Sequence, residues 1–580
     1  MPDVITDNID LWTSALLTKS TAGRGNNGKL EAYGIKKLRE LILATALRGL
    51  FEEENESLPH TIEQDMTKAK KEYFKSIGKR PKEYDFGPAL LDEFSLPAGW
   101  LWKRVGELCD LQTGATPSTN KPEYFGGEIR WLVSGDINQG IIEDCDGRIS
   151  EEGMANSNCK ILPINTVLIA LNGQGKTRAS VALLKVAATC NQSLVGIIPF
   201  DTNILNPMFL LLSLRYRYYE IRDITGQNQR RGLNMGLVSE LSIPLPPLAK
   251  QHRIVAKVDE LLALCDQLEQ QQTNNIDAHQ TLVETLLGTL TTVESQVEFA
   301  DAWTRIANHF DTLFTTEHSI NQLKQTILQL AVMGKLVPQD TNYEPASALL
   351  EKISDEKKRL IKEGKIKNQN PLLQINDDEK PFQLPSDWAW VRLQDVIDVR
   401  DGTHDSPKDA FGEDTYPLVT SKNFINGEID FEGARRISSE DHFEISKRSL
   451  VEKDDILFSM IGGNLGNQVM VKDDRQFSVK NVALFKYYNK VLTPPYFIKK
   501  YMEHLALNLQ EKSSGGAQPF VSLGFLRNLV FALPPIEEQQ RIVAKVDELM
   551  ALCDTLKTRL TDAQITQLQL ADTIVEQAVA

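Results

Sequence analysis

Amide and guanidinium side chains crowd together in this chain in patterns suited to reading base edges. Gln227, Asn228, Gln229, Arg230, Arg231 and Asn234 fall within eight consecutive positions. In the major groove of duplex DNA, arginine meets guanine O6 and N7, and asparagine or glutamine meets adenine N6 and N7, each through two parallel hydrogen bonds. An exposed linker shares that composition, but two arginines amid amides favour contact. Gln174, Lys176 and Arg178 form a smaller group, on a stretch whose glycines support a projecting loop. In the second half of the chain the equivalents are Asn464, Lys480, Asn481, Ser513, Ser514 and Gln518. Lys422 and Asn423 suit phosphates, which position a protein without reading sequence. His404, in the polar turn Asp401-Gly402-Thr403-His404-Asp405-Ser406, either contacts DNA or caps its turn.

Two motifs imitate other chemistry. Ala170-Leu171-Asn172-Gly173-Gln174-Gly175-Lys176-Thr177 fits a relaxed phosphate-loop pattern, with alanine for the first glycine. A true phosphate loop follows a strand and opens a helix whose N-terminus holds the phosphates. The other half of the chain has no Gly-Lys-Thr in the equivalent stretch, and no convincing aspartate for magnesium accompanies it. Thr493-Pro494-Pro495-Tyr496 is similar to the catalytic tetrapeptide of adenine methyltransferases. Its repeat mate is Leu205-Asn206-Pro207-Met208, and no glycine-rich cofactor motif is nearby, so both read as helix caps. His252 has Gln540 as its counterpart and reads as a surface helix residue.

The elements that must position these residues come in two copies. Residues 245–268 and 533–556 align without a gap, 288 positions apart, and 18 of the 24 are identical. Leu96-Pro97, Trp100, Trp102 and Arg104 recur at the same offset as Leu384-Pro385, Trp388, Trp390 and Arg392. Gly114 pairs with Gly402 and Leu241 with Leu529. Residues 38–50 resemble 323–336, offset by 285, and the lysine-rich run 70–75 resembles 357–362. A duplication of this length sets the architecture. Each copy runs as short helix, basic linker, a unit of about 150 residues, then long helix. Two-fold molecules suit two-fold targets such as duplex DNA.

The long helices carry the strongest periodicity. Ile254, Val258, Leu261, Cys265 and Leu268 step by four and three, and Ile542, Val546, Leu549, Cys553 and Leu556 repeat that rhythm. This is the a/d seam of a coiled coil, and two equal seams in one chain can satisfy each other. Pro246-Pro247 and Pro534-Pro535 mark the helix starts. The units between show short β-branched runs near residues 131–133, 166–171, 194–199, 418–420, 455–460 and 482–485, with one helix each at 206–219 and 494–507. Framing positions match between copies while loop interiors differ, as two readers of different half-sequences require.

Bulk properties narrow the class. A 580-residue chain with 41% hydrophobic and 25% charged residues is globular and multi-domain. The net charge of −15 argues against indiscriminate nucleic-acid binding. Residues 96–246 hold 14 basic against 14 acidic side chains, and 384–533 hold 18 against 21. Two near-neutral readers on an acidic scaffold suit site-specific binding, with a partner supplying part of the phosphate-neutralising charge. No apolar run spans a bilayer, the start lacks a signal core, and six cysteines without CxxC spacing read as buried hydrophobes in a reducing, cytoplasmic setting.

Taken together, these residues make the chain resemble the specificity subunit of type I restriction-modification systems. The resemblance rests on residues 533–549 and their first copy, on the Leu-Pro, Trp, Trp, Arg pattern opening each unit, and on Gly515-Gly516-Ala517-Gln518-Pro519 followed by residues 529–535. It covers nearly the whole chain; residues 1 to about 33 match the longer-tailed members only loosely. The resemblance implies an α+β fold: two mixed α/β target-recognition domains separated by two long antiparallel coiled-coil helices, with an internal pseudo-two-fold repeat. The expected divisions are 1–95 (extension, short helix and basic linker), 96–246 (first recognition domain), 247–383 (central helical scaffold), 384–533 (second recognition domain) and 534–580 (C-terminal helix). It further implies a non-catalytic subunit that binds double-stranded DNA, two methyltransferase subunits and, in the full complex, motor-nuclease subunits. No cofactor belongs to this chain; S-adenosylmethionine belongs to the methyltransferase, and ATP and magnesium to the motor-nuclease. Helix length would set the spacer between half-sites. Left open beside it are a nucleotide-binding enzyme using residues 170–177 and a coiled-coil adaptor without a DNA role.

Overall fold

Each long helix begins directly after its proline pair, as Leu248–Thr292 and Ile536–Val579. The Pro247 and Pro535 carbonyls accept the first helical bonds from the Gln251 and Gln539 amides, each at 3.0 Å. The buried side chains of the same glutamines donate to the Pro246 and Pro534 carbonyls at 2.9 and 3.0 Å. Repeat-equivalent residues thus make equivalent starts. At 45 and 44 residues, each helix is about 66–68 Å long at about 1.5 Å per residue. The structure, a computed structural model, describes residues 2–19, 29–51, 57–91, 93–173, 177–224, 233–368, 372–512 and 520–579.

The described chain divides into two compact units. The first comprises Met1–Lys19, Lys29–Asn274 and Gln564–Ala580, and the second Asn275–Ala563. Each long helix therefore starts in one unit and ends in the other. In the first unit Ile254, Val258 and Cys265 share a core with Ala571, with Leu261, Leu268, Ile574 and Val575 packed against it. In the second, Ile542, Val546 and Cys553 share a core with Val283, Leu287 and Leu290, with Leu549 and Leu556 packed against it. Ile254, Val258, Cys265, Ile542, Val546 and Cys553 are buried and the seam leucines half-buried, and the matching blocks lie in separate cores. Each block shares a core with its own unit and with the tail of the other helix. The tails carry the same four-and-three spacing, so a heptad stripe finds a suitable apolar face there.

Among the described residues, the two larger sheets of each unit follow a similar plan. In the first unit the order is Cys109–Thr113, Leu194–Pro199, Val167–Ala170, Val181–Leu184 and Ile141–Ile142. In the second it is Ile397–Asp401, Val482–Tyr487, Ile456–Ser459 and Gln468–Met470. Beside these stand three-stranded sheets. One is ordered Thr189–Cys190, Phe125–Leu132, Arg148–Ile149, and the other Ser478–Val479, Thr415–Val419, Arg435–Ser438. In both, the first two strands run parallel. The strands anticipated from β-branched runs are present within a few residues, and the anticipated helices appear as Pro207–Tyr216 and Pro495–Lys512.

A ribbon closes each frame: Leu101–Arg104 pairs antiparallel with Ser242–Leu245, and Ala389–Arg392 with Val530–Leu533. Gly49 and Gly334 end the short helices at φ +69° and +70°. A Cβ there would meet Pro97 Cγ at 2.5 Å and Pro385 Cγ at 2.7 Å, with Trp100 and Trp388 close behind. This explains why the Leu-Pro and Trp positions repeat.

Two expectations need correcting. The basic runs are not linkers but lie in helices Ile62–Ser76 and Ala346–Lys362. Met66, Ala69 and Phe74 in one, and Leu349 and Ile353 in the other, bury an apolar stripe that lysine-rich composition hides. The second unit also has a further helix, Ser439–Ser449, where the first has only Glu151–Ala155. Ser438 caps it, Glu440 and Asp441 stand in its first turn, and Lys447 and Arg448 in its last. Capping and dipole pairing support it without a wide apolar face. All six cysteines are buried and free. No helix among the described residues is long and apolar enough to cross a membrane.

Candidate nucleic-acid interface

In the second unit, three loops leave the C-terminal ends of neighbouring strands. Strands Thr415–Val419 and Ser478–Val479 run parallel, so residues 420–423 and 480–481 emerge at one end. The Lys480 amide donates to the Val419 carbonyl at 2.9 Å, and the Thr403 amide to the Val479 carbonyl at 2.9 Å. The second bond brings in the loop after Ile397–Asp401. Gly402 allows this approach, because a Cβ would lie 2.7 Å from the Val479 carbonyl oxygen.

Three residues expected from the sequence therefore meet. His404 is exposed, with Nδ1 3.1 Å from Asn481 Oδ1 and Nε2 2.7 Å from Asp401 Oδ2. Both neighbours present oxygens, which accept from both ring nitrogens when the imidazole is charged. The Asn481 oxygen and the Asp401 carboxylate accordingly hold His404 above the usual histidine range. Asn481 sits at φ 55°, a left-handed conformation that asparagine tolerates. Lys480 Nζ bonds Ser406 Oγ, and Arg448 donates to the Gly402 carbonyl at 3.1 Å. Lys422 is exposed on the adjoining loop, and Asn464 reaches that loop at the Ser421 carbonyl, 3.5 Å away.

The first unit builds the same junction from different side chains. The Asn191 amide donates to the Leu132 carbonyl, and the Ala115 amide to the Cys190 carbonyl, both at 2.9 Å. A Cβ on Gly114 would lie 1.8 Å from the Cys190 carbonyl oxygen. Exposed Thr116 donates from Oγ1 to Gln192 Oε1 at 2.5 Å, where the second unit has His404 and Asn481. The turn after the central strand repeats too. Asp136 Oδ2 accepts from the Val133 amide at 2.8 Å, as Asn423 Oδ1 accepts from the Thr420 amide at 3.0 Å. Sequence reasoning missed Thr116 and Gln192. The offset that pairs Gly114 with Gly402 also pairs Thr116 with His404, and it was the available signal.

Other expected residues have local partners. Asn234 Oδ1 caps helix Met235–Ser239 by accepting from the Leu237 amide at 2.9 Å. Asn423 is buried and its oxygen is engaged by the turn. Arg178 is part-buried and 3.4 Å from the Arg222 carbonyl. Gln174, Lys176, Gln227, Asn228, Gln229, Arg230, Arg231, Ser513, Ser514 and Gln518 lie outside the described residues.

The two decoys resolve differently from the chemistry they imitate. Val167–Ala170 and Val181–Leu184 are antiparallel partners. The segment joining them connects antiparallel neighbours, and among its described residues no helix N-terminus follows to hold phosphates. Asn206 caps helix Pro207–Tyr216 by accepting from the Met208 and Phe209 amides at 2.8 and 3.2 Å. Thr493 is buried before its helix and bonds the Val396 carbonyl at 3.1 Å. His252 is exposed, 3.1 Å from Asn206 Nδ2.

Comparison with known proteins follows the duplication. The family described as Type I restriction modification DNA specificity domain matches residues 97–278 and 385–567. The Type I restriction enzyme EcoAI specificity subunit of Escherichia coli is 35% identical over 604 residues, with 99% of each chain covered. The EcoEI specificity subunit of the same organism is 35% identical over 616 residues, again with 99% of each covered. A crystal structure of the HsdS subunit from Thermoanaerobacter tengcongensis is 18% identical, covers 85% of this chain and 98% of that chain, and gives a TM-score of 0.44.

Proposed function

The chain belongs to the type I restriction-modification DNA specificity family, and from that membership we propose how its two units divide the work. Each unit reads one half of a bipartite, interrupted duplex sequence. The long helices hold the spacer between the halves and dock two methyltransferase subunits. Those subunits methylate adenine with S-adenosylmethionine. Motor-nuclease subunits, using ATP and magnesium, complete the restricting complex, and this chain catalyses nothing.

One observation carries this reading. Two strand-end junctions agree in their backbone bonds, Ala115 to Cys190 and Thr403 to Val479, yet present different side chains. A frame fixed by main-chain bonds tolerates any loop residue, and recognition of two unlike half-sequences needs that freedom. Near-neutral charge in each reading unit favours direct base contact over indiscriminate phosphate binding.

Methylome sequencing tests the proposal directly. Cells carrying this chain with the methyltransferase of its own system should show adenine methylation at one bipartite motif of fixed spacer. Methylation without such a motif would refute it. Removing four residues from each long helix shortens each by about 6 Å, close to two base pairs at about 3.4 Å. A new spacer shorter by two positions is the expected result, and an unchanged spacer would detach helix length from site geometry.

A further inference from the structure

Resting on that reading, we propose that each unit recognises one adenine edge with a single amide, Gln192 in the first unit and Asn481 in the second. A hydrogen-bond donor on the loop after Gly114 or Gly402 decides which way that amide faces.

The two ends of an amide are alike in shape and opposite in function. A half-turn exchanges oxygen for NH2. Pairing with adenine needs the oxygen to accept from N6 and the nitrogen to donate to N7. An amide that rotates freely reads the edge poorly. Thr116 Oγ1 donates to Gln192 Oε1 at 2.5 Å, which uses one lone pair and leaves the second, with the NH2 group, for a base. In its charged form His404 does the same from Nδ1 to Asn481 Oδ1, 3.1 Å away. All four residues are exposed. A hydroxyl and an imidazolium share no chemistry beyond the hydrogen they supply, and the frame places both against an amide oxygen. Thr116 and His404 are therefore positioning residues, and Gln192 and Asn481 the readers.

The donors differ in one consequence. A threonine hydroxyl does not titrate in the working range of pH, whereas an imidazole carries a titrating proton, which Asn481 and Asp401 hold more tightly in His404. The groups around it are Asp401 on Nε2, Arg448 at 3.7 Å from that carboxylate, Lys480 on Ser406, and Asp405 at 3.4 Å from the Thr403 hydroxyl. When His404 loses its proton, Asp401 retains the hydrogen on Nε2, and Nδ1 becomes an acceptor. Asn481 then turns over to donate to it, and its outward face is exchanged.

The test uses the purified complex of this chain with its methyltransferase, a labelled methyl donor, and duplexes substituted singly at each position of the motif. Gln192→Ala should relax discrimination at one adenine of one half-site by roughly ten- to a hundred-fold, with melting temperature unchanged. Asn481→Ala should do so in the other half. Thr116→Val should give a smaller loss at the same position as Gln192→Ala, restored by Thr116→Ser. The unsubstituted complex should lose discrimination in the Asn481 half alone between pH 6 and 8.5. Unaltered discrimination in both alanine variants, or an equal loss at every position, would overturn the proposal. A wild-type complex that methylates no bipartite sequence would instead refute the function, a result separable from these.

Discussion

The junction of the first unit is tighter than that of the second, although both are made by the same bonds. A Cβ at Gly114 would stand 1.8 Å from a carbonyl oxygen, and one at Gly402 would stand 2.7 Å from its equivalent. The frame elsewhere is matched more closely: Gly49 and Gly334 differ by one degree in φ, and each faces a repeat-equivalent proline and tryptophan. The difference teaches where duplication holds and where it loosens. Positions that join the domain to its scaffold agree in detail, while positions beside the exposed loops have drifted by most of an ångström.

Substitution at the junction should give the largest effect. Gly114→Ala is expected to lower stability by about 3 kcal/mol, and Gly402→Ala by about 1–2 kcal/mol, since only backbone can yield. Thermal melting of the two variants compares them, and equal losses would break the contrast. Gly49→Ala and Gly334→Ala should each cost about 1–3 kcal/mol through left-handed φ and the proline contact. Here equality is the expected outcome, and a gap above about 1 kcal/mol would show that the frames are less alike than their geometry.

Acid should remove from the second unit one contribution that the first unit lacks. Burial pushes His504 down to about 4, and its position in the first unit is held by Tyr216, 288 residues earlier. The unfolded chain binds this proton below about 6.5, and the folded chain only near 4, so stability is lost as pH falls through that window. The loss is on the order of 1 kcal/mol after allowance for solvent contact. Urea unfolding of the parent and His504→Tyr chains at pH 7 and pH 4.5 isolates it, and the variant should fare better on acidification. A variant that unfolds with the same pH slope would remove His504 from the account.

Much of this was legible in the chain because it was written over long stretches. A heptad stripe repeated in two blocks outweighs local ambiguity, so both long helices and their proline starts were readable. Their packing partner was not, since a stripe says that an apolar face is needed but not which one. Helix Ser439–Ser449 was missed because caps and charges hold it rather than periodic burial. At the site, His404, Lys480 and Asn481 were named from their types, and the fold brings them together. Asn234 and Asn423 were named for the same reason, yet their oxygens serve caps and turns. Asparagine suits both roles, and composition alone does not separate them. Thr116 is found by the 288-residue offset, but Gln192 lies 289 before Asn481, so a strict offset passes it by.

The exchange of helix tails has a consequence for birth on the ribosome. The first unit's core takes in Ala571, Ile574 and Val575, which follow the whole of residues 275–563 in the chain. At about 5–20 residues per second, translation of that intervening stretch lasts roughly 15–60 s. Through that interval the nascent N-terminal unit waits for the last side chains of its core, and the second unit, made later, is the first to be whole.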